Sequence, residues 1–335
     1  MVSLVYLFNS LLYANTIVML SVGLTLTYLT TRVPNFAHGS LATVGAYMMF
    51  TVAAVVMKES LVSGNISMPL VLGFVLAFLG GAFAGLMEYL IVLRPLKRRG
   101  TGSLGLMIST LGVDIFMVGL LNIYADILRG MRPATGVSRD WWLRSYVLSK
   151  VAGIPVGVWV SFGVMIGCLT LLYMLLTRTR FGIAMRASIE NPQLAQVLGV
   201  NVDLVNMASW IIAGGLAGLA GALMAFVVRI NPVTGSDEVV AIFAASIVGG
   251  LQSLLGGVVG GYIVGLSSTL GTKWLGDLVG VDLAAYKRAV PLIFIIIVLL
   301  VAPQGLMGVD WSRLRRRIIG GRSVREERLT VPHAR

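Results

Sequence analysis

Arg178-Thr-Arg-Phe-Gly-Ile-Ala-Met-Arg-Ala-Ser-Ile-Glu-Asn-Pro-Gln-Leu-Ala-Gln-Val-Leu-Gly-Val-Asn-Val-Asp203 is a polar interruption in a chain that is otherwise almost continuously apolar. It reads as two short helices back to back. Gly182 to Glu190 holds good helix formers. Asn191 is a natural N-cap, and Pro192 suits the first helical position, where a missing N–H costs nothing. Gln193 to Leu198 makes less than two turns, and Gly199 stands where helices stop. Spacings of three and four place Leu194, Val197 and Leu198 on one face. One turn of helix cannot bury that face by itself. Two readings are open: it packs on the chain's own helix ends, or it enters a groove on a partner.

Working outward, hydrophobic residues make up 57% of the chain and charged residues 12%, against about 25% charged in soluble domains. With a mean hydropathy of +0.90 the chain is an all-α polytopic membrane bundle whose main solvent is the bilayer. Glycine, at 40 of 335 residues, lets helices approach closely where lipid gives no drive for pairing. Glycines at a spacing of four (Gly81 and Gly85; Gly214 and Gly218, extended by Ala222; Gly257, Gly261 and Gly265) read as contact stripes, either among the chain's own helices or toward another subunit. The single Cys168 rules out an intrachain disulfide. The first 30 residues lack a basic leader region and read as the first span.

Apolar windows place spans near 4–30, 39–57, 68–93, 104–128, 155–176, 204–228, 239–250, 256–276 and 287–303, which predicts about eight to ten transmembrane helices. Segment 239–250 is short, ends at Gly249-Gly250 and is followed by Gly256-Gly257. It reads as a broken helix near 239–257, either re-entrant beside a protected cavity or a short buried helix. The net charge of +12 sits in loops and in the tail, as membrane topology requires, so nucleic acid is not an expected partner. One side carries sixteen Lys and Arg, including the eight Arg of the tail, and the other carries ten. The richer side should be cytoplasmic. That gives an external N-terminus, a cytoplasmic C-terminus, a transmembrane domain over 1–310 with a cytoplasmic loop at 177–203, and a basic cytoplasmic tail over 311–335. Trp141, Trp142, Trp159, Trp274 and Trp311 fall near the predicted interfaces. The basic loop 129–150 either docks an external protein or anchors at the lipid surface.

Arg186-Ala-Ser-Ile-Glu-Asn-Pro-Gln-Leu-Ala-Gln-Val-Leu-Gly-Val-Asn201 resembles the coupling loop of ABC importer permeases for branched-chain amino acids. Three further segments agree in order and spacing: Pro34-Asn-Phe-Ala-His-Gly39 with Gly45-Ala-Tyr47; Ile230-Asn-Pro-Val-Thr-Gly235 with Ile247-Val-Gly-Gly-Leu-Gln-Ser-Leu-Leu-Gly-Gly257; and Leu299-Leu-Val-Ala-Pro-Gln-Gly-Leu-Met-Gly308. The first of these resembles the signature of one of that system's two permeases. The resemblance covers nearly the whole chain. It implies a second homologous permease, two cytoplasmic ATPase subunits that hold ATP and Mg, an external solute-binding protein and a small amino acid as cargo, in the cytoplasmic membrane of a prokaryote. It also implies that Arg186, Ala187, Glu190, Asn191, Pro192, Leu194, Ala195, Leu198 and Gly199 form the coupling surface. The tail from Arg313 is longer and more basic than the family leads one to expect.

The residues agree with a chain that binds no cofactor and performs no covalent chemistry. There is no GxxxxGK[ST] loop for a nucleotide and no metal-ligand spacing. With His38 and His333 alone, most hydrolytic constellations lack their base. Candidate lining residues of a translocation path are Asn35, His38, Tyr47 and Asp114. Asn35 is placed to cap the following helix. His38 either lines the path or holds the turn. Asp114 lies mid-span, where an ionisable group is functional by default; it either meets the ammonium of a zwitterion or caps a broken helix. Glu88, six residues before Arg94, is expected to snorkel or to pair with a base. Two other readings stay open: a permease for urea and short amides, and an ion-coupled amino acid carrier using Asp114.

Overall fold

The structure, a computed structural model, describes residues 4–52, 67–131, 139–143, 150–280, 283, 286–302 and 304–308. The basic tail expected over 311–335, Trp311 and most of the loop 129–150 lie outside the described residues.

Among the described residues, six helices are long and apolar enough to cross a membrane. They are α1 (Leu4–Thr31); a composite of α3 (Ser67–Met87), a π-helical turn (Glu88–Leu93) and α4 (Arg94–Arg98); α5 (Ser103–Met131); α6 (Val156–Arg178); α9 (Val202–Met224); and a second composite of α11 (Leu254–Leu266), a π-helical turn (Ser267–Gly271) and α12 (Thr272–Val279). Three shorter apolar helices complete the bundle: α2 (His38–Thr51), α10 (Thr234–Gly249) and α13 (Ala289–Val301). The polar interruption forms α7 (Arg180–Glu190) and α8 (Pro192–Val197). Each of the nine apolar windows therefore holds a helix, with residues 53–57 and 303 lying outside the described residues.

Helices α1 and α9 form the centre. In each, 78% of the most apolar window is buried, against 17% for α5 and 22% for α6. Glycine explains the close packing, because without a Cβ two backbones can touch. Gly81 and Gly85 of α3 lie against Gly214 and Gly218 of α9, Gly45 of α2 against Gly218, and Gly221 against Ala42. Gly257, Gly261 and Gly265 of α11 lie along Ser21, Val18 and Ala14 of α1. The stripes thus serve contacts within this chain.

Two polar side chains on α1 are paired with neighbouring helices, which lowers the cost of burying them in an apolar solvent. Asn15 donates to Ser161 of α6 at 3.0 Å and accepts from Tyr262 of α11 at 2.8 Å. Ser21 donates to Gly257 O at 2.7 Å, and its own carbonyl accepts from Ser246 of α10 at 3.1 Å.

The short helix starts at Thr234, five residues earlier than its apolar window. Its first turns, Thr-Gly-Ser-Asp-Glu, are polar and escape a hydropathy reading, but they are paired inside the protein: Glu238 accepts from Tyr13 of α1 at 2.6 Å. The helix ends at Gly250, which takes φ +107. Ser253 then caps α11, accepting from Gly256 N at 3.1 Å. The C-terminal signature closes the break. Leu306 N donates to Val248 O at 2.9 Å and Met307 N to Gly249 O at 3.2 Å, filling carbonyls that a helix end leaves open. Trp141 is not an interfacial anchor: it is 3% exposed and lies against Phe50, ring centroids 4.8 Å apart.

Candidate functional site

At one end of the bundle α7 and α8 form a rigid unit. Thr179 caps α7, accepting from Gly182 N at 3.2 Å. Asn191 caps α8, its Oδ1 accepting from Leu194 N at 3.0 Å, with Pro192 at the first helical position. Gly199 takes φ +84; Gly199 N donates to Gln196 O at 3.0 Å and Val200 N to Ala195 O at 2.9 Å, the paired bonds of a Schellman stop. Arg186 donates to Leu176 O at 3.1 Å and so ties α7 back to α6. Ala187 O accepts from Asn191 N at 3.0 Å, which fixes the angle between the two helices.

Ala195, 1% exposed, is the foot by which α8 rests on the bundle. The opposite face is open: Leu194 is 55% exposed, Val197 83% and Leu198 72%. Glu190 is exposed beside them. Ile183 of α7, which the sequence reading passed over, is exposed as well. Of the two readings open for the apolar face, burial on the chain's own helix ends does not occur among the described residues.

The chain leaves this unit through Asn201, which caps α9 by accepting from Leu204 N at 3.1 Å. Two residues on, Asp203 accepts from the Tyr89 hydroxyl at 2.6 Å and pairs with Arg94 at 2.6 Å and Arg98 at 3.6 Å. The π-helical turn and α4 are thereby clamped to the start of α9.

A second constellation lies deep in the bundle. After α1 the chain turns at Arg32, φ +58, and re-enters to begin α2. After α9 it does the same to begin α10. The two re-entrant segments are Asn35-Phe-Ala-His-Gly-Ser40 and Asn231-Pro-Val-Thr-Gly-Ser236. Each Asn accepts from the backbone N–H two residues on, Ala37 at 2.8 Å and Val233 at 3.0 Å. Gly39 and Gly235 meet backbone to backbone. Ser40 and Ser236 lie 3.1 Å apart, and both donate to Asp114 Oδ1, at 2.5 and 3.0 Å. Thr43 Oγ1 accepts from Gly235 N at 2.9 Å. The chain from 36 to 43 therefore runs antiparallel to that from 235 to 243, with Phe36 stacked on Phe243 at 4.7 Å. The two segments form a local repeat, Asn-x-x-x-Gly-Ser, crossing at one carboxylate.

Asn35 does not cap α2; that position belongs to Ala37, and no side chain caps it. The Asn35 amide instead donates to Glu88 at 3.0 Å. Glu88 does not snorkel, being 4% exposed, and among the described residues it pairs with no base. His38, against Gly23 of α1, and Tyr47, edge-on to Phe50 and Tyr124, are both buried. Asp114 alone of the four candidate path residues is half-buried. The sequence reading missed Ser40, Ser236, Tyr89 and Asp203. The shared Asn-x-x-x-Gly-Ser spacing was the available signal for the two serines; nothing local marks Tyr89 or Asp203.

A helical bundle with an uncovered helix pair at one end and a carboxylate at a crossing of two broken helices is the architecture of a multi-pass membrane protein. The chain belongs to the family described as branched-chain amino acid transport system, permease component, which matches residues 6–299. It is 42% identical over 308 residues to the probable branched-chain amino acid transport permease protein LivH of Methanocaldococcus jannaschii, covering 92% of this chain and 93% of that protein. It is 28% identical over 305 residues to the high-affinity branched-chain amino acid transport system permease protein LivH of Escherichia coli K12, covering 90% and 94%. It is 27% identical over 307 residues to the corresponding protein BraD of Pseudomonas aeruginosa, covering 90% and 94%. These relatives favour an ABC-type permease over a urea or amide permease and over an ion-coupled carrier.

Proposed function

We propose that this chain carries branched-chain amino acids across the cytoplasmic membrane by alternating access, driven through α7 and α8 by ATPase subunits. The observation that carries the reading is the uncovered face of Leu194, Val197 and Leu198 on a helix capped at both ends. A rigid apolar surface exposed to water at a membrane protein's polar end needs a cover. A nucleotide-hydrolysing partner supplies one and the motive force with it. The coupling surface is Arg186, Ala187, Glu190, Asn191, Pro192, Leu194, Ala195, Leu198 and Gly199. Arg186, Asn191 and Gly199 hold its shape, Ala195 anchors it, and Leu194 and Leu198 make contact.

ATP and Mg are held by two ATPase subunits, a second permease completes the path, and an external binding protein delivers the solute. The α7–α8 end faces the cytoplasm and the N-terminus faces outside. The transmembrane domain spans 1–310, and residues 311–335 form a basic cytoplasmic tail. Asp114 is the path residue, its charge placed for the substrate ammonium; Asn35, His38 and Tyr47 pack behind it.

The test is reconstitution of this chain with its second permease, ATPase subunits and binding protein in proteoliposomes. Uptake of labelled leucine should require ATP, with urea and acetamide not carried. Uptake by this chain alone under a proton or sodium gradient would overturn the reading.

A further inference from the structure

We propose that Glu88 and Tyr89, at the mouth of the π-helical turn in the third helix, are positioning residues that transmit movement of the α7–α8 surface to the re-entrant crossing at Asn35. The inference rests on the reading of α7–α8 as the driven surface and deepens it.

The contacts run without a gap. Asp203 stands four residues beyond Gly199, in the first turn of α9, joined to the coupling unit by Val200, Asn201 and Val202. It holds the Tyr89 hydroxyl at 2.6 Å and Arg94 at 2.6 Å. Glu88 precedes Tyr89, and its Oε2 accepts from Asn35 at 3.0 Å. No protein group among the described residues pairs with Glu88 Oε1, although the side chain is 4% exposed. That oxygen is available to a new partner if the turn shifts. Beyond Asn35 the crossing follows directly: Phe36 N donates to Thr110 Oγ1 at 3.1 Å, and Ser40 meets Ser236 and Asp114.

The joint itself is a π-helical turn, Glu88–Leu93. A π-helical turn holds one residue more than the α-helical ladder, and such turns mark functional sites. Passing the extra residue along rotates the helix on one side against the other. Tyr89 and Glu88 lie at the start of that turn, so a pull on one displaces the other.

The two crossing segments are also connected differently. The Asn35 copy is tied to the third helix and thus to α7–α8. The Asn231 copy adjoins the opposite end, where Ile230 pairs with Trp141 and Arg229 with Asp140 at 2.8 Å. One half of the crossing is thus connected to each end of the bundle.

The experiment uses the complete reconstituted transporter and reads leucine carried per ATP hydrolysed. Tyr89→Phe removes one hydroxyl and leaves the ring beside Trp210. Glu88→Ala removes the Asn35 contact, and Glu88→Gln keeps an acceptor for it. Each of Tyr89→Phe and Glu88→Ala should lower leucine per ATP about tenfold while the ATPase subunits co-purify. Glu88→Gln should restore most of the ratio. The double variant should be no worse than the poorer single one, because both break the same linkage. An unchanged ratio in Tyr89→Phe, or effects that multiply in the double variant, overturns the proposal. So does a loss of assembly and transport in step, since that is what a merely structural role produces. Leu194→Glu separates the two claims: if it assembles and transports normally, the driven-surface reading fails, whereas normal coupling in Tyr89→Phe with a defective Leu194→Glu removes only the relay.

Discussion

Gly39 and Gly235 touch backbone to backbone where α2 and α10 cross, and a Cβ on either would fall on the carbonyl of the other. The neighbouring atoms are main chain and cannot rotate away. Gly39→Ala or Gly235→Ala should therefore destabilise the chain by about 1–3 kcal/mol or more, the usual range of overpacking. Gly112→Ala and Gly119→Ala on α5, where an added Cβ meets nothing within 4 Å, should leave the isolated chain no less stable, since Ala in a helix interior gains about 0.5–1 kcal/mol over Gly. Thermal unfolding in detergent reads the difference. Equal midpoints for the two pairs would mean the crossing is looser than this structure has it.

Leu194→Glu and Leu198→Glu place a charge on the uncovered face of α8. Left unpaired in an ATPase groove, that charge costs several kcal/mol, enough to abolish co-purification of the ATPase subunits. Membrane insertion should be untouched, since no span changes. Asn191→Ala removes the cap and about 1 kcal/mol of helix stability, so it should weaken co-purification without abolishing it. Full assembly and transport in both charged variants would rule the surface out.

Asp114→Asn keeps an oxygen for the hydroxyls of Ser40 and Ser236 but removes the negative charge. Hydrogen bonds to charged groups contribute about 1.5–3 kcal/mol, so loss of a charge that meets the ammonium should slow leucine transport roughly ten- to hundredfold. Thermal stability should change little, and the ATPase subunits should still bind. Wild-type transport by Asp114→Asn would leave Asp114 only its hydrogen-bonding role at the crossing.

Orientation is tested by cysteines in a Cys168→Ser background. Cysteines at Ser103 and Gln193 should be protected from an impermeant thiol reagent added to intact cells, and one at Lys150 should react. Labelling at Gln193 from outside would invert the topology and remove the coupling assignment with it.

Much of the bundle was legible because hydropathy is a local property. Twenty apolar residues need a bilayer wherever they stand, so the long spans follow from composition alone. The ends of α8 were equally legible, since Asn191, Pro192 and Gly199 act on backbone groups one to three residues away. Helix α10 was found short of its true start because Thr234 to Glu238 is polar. Those side chains are tolerated only through partners such as Tyr13, 225 residues away in sequence.

Local chemistry in this sequence therefore determined that the chain spans a membrane many times, where its helices break, and that a capped helix pair interrupts it. What covers each glycine, which acid is buried and which half-open, and that Asn35 binds Glu88 and not the start of α2, were decided only by the tertiary structure. A glycine stripe permits close approach to any backbone and names none. A carboxylate's environment is set by the side chains that other helices bring to it. The meeting of Ser40 and Ser236 at Asp114 depends on two re-entrant segments 196 residues apart, a distance over which only the packed fold carries information.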